Sequence, residues 1–324
     1  MARELELHCH EVRVRFLEKA VVPPYEGSMI RGAFGRAFKQ SCCLFPHDNG
    51  SGCPLGDKCP YGYVFETSPP EGARDFARNQ EVPRPYVFEP PEDTKMEYAP
   101  GERMRFGFTV VGRAADYMPY FIFAFSKMGE EGIGRLKARY ELERVTTQNP
   151  LVGTREEVFD GEVAKNRRLP VSWEDAQSAA HELDGERLRL EFLTPTFVKF
   201  RGEVAPEAPP FAALVQALLI RVPMLSAVHC GEVWREDFRA RVERASEVET
   251  VSDETTWVSF RRYSSYRKKN EALEGVVGGV EYAGPIEEFL PLLCMGQLTH
   301  VGKRAVFGLG RYSIADAYRG SRRK

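Results

Sequence analysis

The sequence predicts an α+β fold made of two tandem ferredoxin-like domains, each βαββαβ. Apolar residues change twice from period two to a helical period and back, in the order strand, helix, two strands, helix, strand. The halves also echo each other: a helix ending in Met128-Gly129 runs into Gly132-Ile133-Gly134 and a strand, and a helix ending in Met295-Gly296 runs into a longer glycine stretch and a strand. A chain of 324 residues has room for two domains of ordinary size. The expected division is 1–146 for the first domain with a cysteine-bearing insertion, 147–186 for a connector, and 187–324 for the second domain with its glycine loop.

In the first domain, residues 4–16 alternate as a strand. Leu5, Leu7 and Cys9 share a face with Val12, Val14 and Phe16 only after a one-residue slip, which predicts a bulge near His10 and leaves His8 and His10 on the polar face. The turn from Val22 to Ser28 starts a helix over 29–38, with Ile30, Phe34 and Phe38 on one stripe and Arg31, Arg36 and Lys39 on the other side. A short strand over 61–66 precedes a proline-rich excursion that lasts to Pro100. Order returns with a strand over 103–113, an apolar helix over 117–128, the glycine turn, and a strand over 136–145.

The polar stretch 146–186 reads as a connector containing a partial hairpin. The second cycle is a strand over 187–193, a long apolar helix over 210–229, strands over 256–263 and 275–282, a helix over 285–295 and a last strand over 305–314.

Composition narrows the function classes. No apolar run is expected to reach the length of a membrane span and the first residues, MARELELHCH, show no signal-peptide core, so a cytoplasmic protein without a membrane partner is expected. The net charge of −2 hides an asymmetry, because residues 261–324 carry twelve Lys or Arg against six Asp or Glu. A local basic surface favours a polyanion held at one place, although part of it is a basic tail.

Seven cysteines in a reducing compartment raise the question of metal. The loop CCLFPHDNGSGCPLGDKCP supplies Cys42, Cys43, Cys53 and Cys59, with His47 among them, which is enough N and S donors for a tetrahedral structural zinc. No CxxC pair is present, and a set of free thiols is the competing account.

The stretch GQLTHVGKRAVFGLGRY is the strongest candidate for function. Gly302, Gly308 and Gly310 permit positive φ and close approach, while Lys303, Arg304 and Arg311 suit phosphate. Earlier in the same domain, RRYSSYRKK sets Arg261, Arg262, Arg267, Lys268 and Lys269 around Tyr263 and Tyr266, a pattern that neutralises phosphates and stacks a base; a solvated charge run competes. Arg31, Arg36 and Lys39 form a second basic face, for which solvation is again the bland account.

These segments together, MIRGAFGRAF with the spaced cysteines and CPYGYVFE, PYFIFAFSKMGEEGIG, LEFLTPTFVKFRG, RRYSSYR and LPLLCMGQLTHVGKRAVFGLGRY, resemble the RAMP superfamily of RRM-like proteins, and within it the Cas6 branch of CRISPR-associated endoribonucleases. The resemblance implies binding of CRISPR repeat RNA, cutting of precursor crRNA without a catalytic cofactor, and contacts with subunits of a CRISPR effector complex. The cut would proceed by attack of a ribose 2′-hydroxyl, leaving a 2′,3′-cyclic phosphate and a 5′-hydroxyl, which calls for a base, an acid and cations at the phosphate. His47, His300 and Lys303 are the catalytic candidates, with His8 and His10 behind them and Tyr25 and Lys39 as helpers. A RAMP subunit that binds crRNA without cutting it is the alternative. A metal-dependent nuclease is disfavoured, since no carboxylates are spaced as a two-metal site.

Overall fold

The structure is a computed structural model that describes residues 5–44, 55–68, 82–200, 202–204, 207–264 and 269–315. The chain divides into two compact units: Glu4–Val171 with Met224–Val233, called the N-terminal unit, and Met1–Arg3, Ser172–Pro223 and Trp234–Lys324, called the C-terminal unit.

The N-terminal unit runs β1 (Leu7–Phe16), β2 (Ala20–Val21), α1 (Gly27–Cys42), α2 (Pro60–Phe65), β3 (Tyr86–Glu89), β4 (Glu97–Tyr98), β5 (Arg103–Val111), α3 (Met118–Glu131), β6 (Tyr140–Asn149) and β7 (Thr154–Phe159). Its main sheet is antiparallel in the order β3-β5-β1-β6-β7. Without the added edge strand β7 this is the ferredoxin-like order, with the first strand between the third and fourth. α1 packs on α3, and the helical stripe of Ile30, Phe34 and Phe38 is fully buried. The Phe34 ring has the rings of Phe38, Phe65, Phe88, Phe108, Phe121 and Phe125 with centroids between 4.9 and 6.0 Å away. Burial of one such ring contributes about 1.5–3 kcal/mol, so this aromatic cluster is what holds the helices to the sheet.

Three expectations for this unit are corrected. Residues 61–66 are not a strand: Pro60 opens α2, the Cys59 sulfur accepts from the Gly62 amide at 3.1 Å, and Tyr61 stacks on Phe65 one turn later. The strand that completes the sheet is β3, inside the proline-rich excursion. The bulge is not at His10, since β1 pairs with β5 without interruption from Leu7 to Arg15 and the only register shift against β6 falls between Arg13 and Val14. The apparent slip has another cause. His8 and His10 lie across from Val110 and Phe108, on the face of Val12 and Val14, and are buried at 3% and 4% exposure, while Leu7 and Cys9 are buried on the opposite face. Both faces of the strand are covered at this end, so alternation disappears.

The C-terminal unit contains α4 (Trp173–Ala180), β8 (Arg187–Thr196), β9 (Lys199–Phe200), β10 (Glu203–Val204), α5 (Phe211–His229), α6 (Phe238–Ala245), β11 (Glu249–Asp253), β12 (Thr256–Ser264), β13 (Lys269–Ala283), α7 (Leu290–Thr299) and β14 (Tyr312–Ala315). The residues of α5 from Met224 onward are grouped with the N-terminal unit. The sheet order is β11-β13-β8-β14, and β12 pairs with the first half of β13, so two short strands share the edge position. This is the same ferredoxin-like order a second time.

Two further expectations change here. The last strand starts at Tyr312, not at Ala305, because Ala305–Phe307 is a single 3₁₀ turn held between Arg304 and Gly308, both at positive φ. One apolar run does reach the length of a membrane span: α5 has the length and mean hydropathy, 1.9, that a span requires, and 78% of its apolar stretch is buried inside the protein, as in a core helix.

Candidate nucleic-acid interface

The glycine loop begins where α7 stops. His300 terminates the helix with φ 61° and ψ 164°, and the chain then doubles back so that the Val301 amide donates to Gly310 O at 2.9 Å. The loop is stitched to the end of β8: the Lys303 amide donates to Phe197 O (3.2 Å) and the Gly310 amide to Pro195 O (3.1 Å). Thr194 Oγ1 donates to Gly308 O (2.7 Å) and accepts from the Arg311 amide (2.9 Å). Gly302, Gly308 and Gly310 do adopt positive φ, at 79°, 87° and 75°. At Gly310 a β-carbon would stand 1.8 Å from Val301 O, so the missing side chain makes room for the protein's own backbone. Many of the loop's amides are therefore spent internally, and what it presents outward is side-chain charge. Lys303 and Arg304 are exposed.

His300 lies beneath this surface with 0% exposure. Its Nδ1 is 3.0 Å from Leu309 O, and since a carbonyl only accepts, Nδ1 carries the proton. Nε2 is enclosed without a hydrogen-bond partner among the described residues. Burial, with the charges of Arg311 and Arg221 nearby, pushes the ring down to about 3, so it is a neutral donor that clasps the two ends of the loop. Arg221 is half-buried and donates through Nε to Thr299 O at 2.8 Å; desolvation pulls its guanidinium down to about 10.

Around the loop, cations alternate with aromatic rings. Lys303 Nζ is 5.4 Å from the centre of the Phe197 ring, which meets Trp257 edge-on at 6.0 Å. The Arg262 guanidinium sits 4.3 Å over the Phe307 ring while paired to Glu271 at 2.6 Å. Arg304 donates to Ala272 O, tying the loop to the β12–β13 hairpin, and Arg261 stands exposed across from Ala272. The fold thus brings together Arg262, Lys303 and Arg304 from two separate predicted stretches, while Arg261, the preceding residue of the same strand, faces the other way. Arg311 leaves the loop half-buried. The backbone of Tyr263 and Lys269 belongs to the hairpin, but their side chains, together with Arg267 and Lys268, lie outside the described residues. Phe197, Trp257 and Phe307 were missed as site residues; a lone aromatic next to a glycine or a lysine is a weak signal until the fold clusters several.

In the N-terminal unit, the basic face of α1 also meets rings. Arg31 lies 4.9 Å over Phe65 and donates to the Tyr86 hydroxyl at 3.2 Å, Lys39 lies 5.5 Å over Tyr61, and Arg36 is exposed. At the N-cap of α1, Glu26 is 3% exposed, and burial followed by the nearby Asp93 pushes its carboxyl up to about 7. Nothing in the sequence marked it, since a Glu before a Gly-Ser turn looks like a surface residue.

The cysteine cluster is partly visible. The Cys42 thiol donates to Phe38 O at 3.0 Å and is pushed up to about 12 by burial and by Cys59 and Cys43 nearby. Cys59 is occupied as the cap of α2. Among the described residues no group of three or more His, Cys, Asp or Glu is placed to hold a metal, and Cys53 and His47 lie outside them.

A family model for the CRISPR-associated endoribonuclease Cas6 matches residues 190–312, and AF_1859_N, a model of an N-terminal domain, matches residues 5–171. An uncharacterized protein of Archaeoglobus fulgidus is 28% identical over 301 residues, 90% of this chain and 92% of its own. A Thermus thermophilus Cas6, solved as a product complex, superposes with a TM-score of 0.56 at 14% identity, over 96% of this chain and 99% of its own. A chain of a partial Cas6-RT-Cas1–Cas2 complex gives a TM-score of 0.59 at 12% identity, over 96% of this chain and 46% of its own. At such identities the likeness to the solved structures is one of fold.

Proposed function

This chain belongs to the Cas6/RAMP type of CRISPR proteins, and from that premise we propose that it binds CRISPR repeat RNA in the cytosol and cleaves precursor crRNA without a metal ion. The observation that carries the binding half is the cluster of Lys303, Arg304 and Arg262 with Phe197 and Phe307. Cations that neutralise phosphates beside rings that accept a base are what single-stranded RNA requires, and the pattern is tolerant of sequence.

In the cleavage half, a base removes the proton of a ribose 2′-hydroxyl, the 2′ oxygen bonds to phosphorus as the bond to the 5′ oxygen breaks, and an acid protonates that leaving oxygen. His300 is fully enclosed and its one proton is committed to Leu309 O, so we assign it to holding the loop. Proton transfer falls to His47, with Lys303 and Arg304 meeting RNA phosphates at the glycine loop. The burial of His300 also favours a second reading, a subunit that binds crRNA without cutting it.

The test uses the purified chain and repeat RNA in excess chelator, with a parallel RNA carrying a 2′-deoxy residue before the scissile bond. Cutting that survives the chelator and stops with the deoxy residue is expected; tight binding with no cutting supports the second reading. His47→Ala is expected to lower the single-turnover rate by about a hundredfold or more at unchanged RNA affinity.

A further inference from the structure

The N-terminal unit holds a cavity of about 330 Å³ that takes no part in the glycine-loop cluster. Its floor is the buried pair His8 and His10 at the start of β1. One wall is apolar, formed by Ile122 of α3 and Val158 of β7, exposed at 6% and 2%. The rim is basic, contributed by Lys165 and Arg168 from the segment that follows β7.

Each part has a chemical consequence. His10 Nδ1 lies 3.2 Å from Phe108 O, and burial lowers the ring to about 3; burial lowers His8 as well, although Glu6 opposes the shift. Both imidazoles are therefore neutral, and since Phe108 O only accepts, His10 spends its one proton there and leaves Nε2 as an acceptor for the edge of a nucleobase. Thr147, across from His10 on β6, is fully buried with its hydroxyl lacking a hydrogen-bond partner among the described residues, although it does not line the cavity itself.

The rim cations are not idle. Arg168 pairs with Asp116 at 2.8 Å, and Lys165 pairs with Glu157 at 2.8 Å and Asp160 at 3.0 Å. The five side chains keep between 29% and 62% of their surface in water, where such pairs are weak and a phosphate competes for the cations. The cavity's size is at the lower end of ligand sites, which suits one nucleotide and excludes a duplex.

We infer that this cavity is a nucleotide subsite, in which a base lies against Ile122 and Val158 with its edge on His8 and His10, and a phosphate rests on Lys165 and Arg168. The occupant is one unpaired nucleotide of bound RNA, a source that rests on the RNA reading above; the nucleotide chemistry itself does not.

The test follows the His8 and His10 ring resonances of the full chain during titration with adenosine or uridine 5′-monophosphate, with inorganic phosphate as control. The monophosphates are expected to shift both rings and phosphate alone to shift them less. The surface double variant Lys165→Ala/Arg168→Ala should weaken monophosphate binding about tenfold and repeat-RNA binding about fivefold, with the thermal midpoint unchanged. Ile122→Trp, which fills the cavity, should abolish the shifts; the double variant keeps the test open if it does not fold. Rings that stay unmoved by every monophosphate overturn the inference, as do shifts equal in wild type and the double variant. If repeat RNA binds while the rings stay silent, the subsite alone fails. If RNA does not bind but monophosphates move the rings, the RNA reading fails and the cavity is a site for free nucleotides.

Discussion

The turn before the last ferredoxin-like strand occurs once in each unit, and the two copies are built differently. In the N-terminal unit the turn from 132 to 139 closes on itself through paired hydrogen bonds between Ile133 and Ala138, and a β-carbon on Gly134 would stand 2.4 Å from Val21 O. In the C-terminal unit the loop from 300 to 311 is longer, rests on a buried histidine, and carries Lys303 and Arg304 outward. Both copies carry exposed cations, Arg135 and Lys137 in the first and Lys303 and Arg304 in the second, and in the second Lys303 lies over the Phe197 ring. The difference shows that two turns with similar glycines can be supported differently; the contacts beneath each decide which side chains it can hold against neighbouring rings.

The strongest way to break this comparison is to substitute the two glycines. Gly310 and Gly134 have φ of 75° and 73° with a carbonyl oxygen in the space of a β-carbon at 1.8 and 2.4 Å. Gly310→Ala is expected to cost about 3 kcal/mol or more, and Gly134→Ala about 2 kcal/mol, in urea unfolding of the full chain. RNA affinity of the folded fraction should fall only for Gly310→Ala. Equal losses of affinity would mean that both turns touch RNA.

A smaller effect concerns pH. Each unit buries a neutral histidine, His10 and His300, whose folded-state pKa is about 3 against an ordinary 6.5. A lowered pKa means the unfolded chain takes the proton first, so their contribution is full above pH 6.5 and is lost progressively as pH falls from 6.5 toward 3. Paired carboxylates such as Glu143 and Glu288 add loss of the same sign only at lower pH. Glu26, held up at about 7, opposes them over the same interval, but two rings outweigh one carboxyl, so between pH 7 and 5 unfolding free energy should drop, and His300→Gln should reduce that slope. A wild-type stability that does not change over this interval would show the rings to be accessible.

The smallest expected effect compares the lysines of the two turns. Lys303→Ala should weaken repeat-RNA binding about fivefold and lower the salt slope by about one, measured by fluorescence anisotropy at several salt concentrations. Lys137→Ala, in the equivalent turn, should leave both unchanged.

Much of the fold was legible because strands and helices announce themselves by period. The order of elements, the stripe of Ile30, Phe34 and Phe38, and the helix–Met-Gly–turn echo needed only local spacing. The errors fell where local spacing misleads. Residues 61–66 are apolar enough for a strand, but Pro60 and a capping sulfur make them a helix; His8 and His10 look polar and are buried because both faces of β1 are covered at that end. β3 was hidden among prolines, since Pro85 stands just before it and does not interrupt its pairing.

The candidate site divides the same way. The cations of the glycine loop and of the hairpin could be named from the sequence, as could the left-handed positions that glycines occupy, because charge and φ preference are properties of single residues. That Arg262 lies over Phe307, that Arg304 reaches Ala272, and that His300 faces inward could not, since each depends on which distant segment the chain brings alongside. The sequence by itself determined the repeated α+β plan and the chemistry available. Only the tertiary structure decided burial, and burial is what turned His300 from a proton-transfer candidate into a neutral clasp and set His8 and His10 at the floor of a cavity.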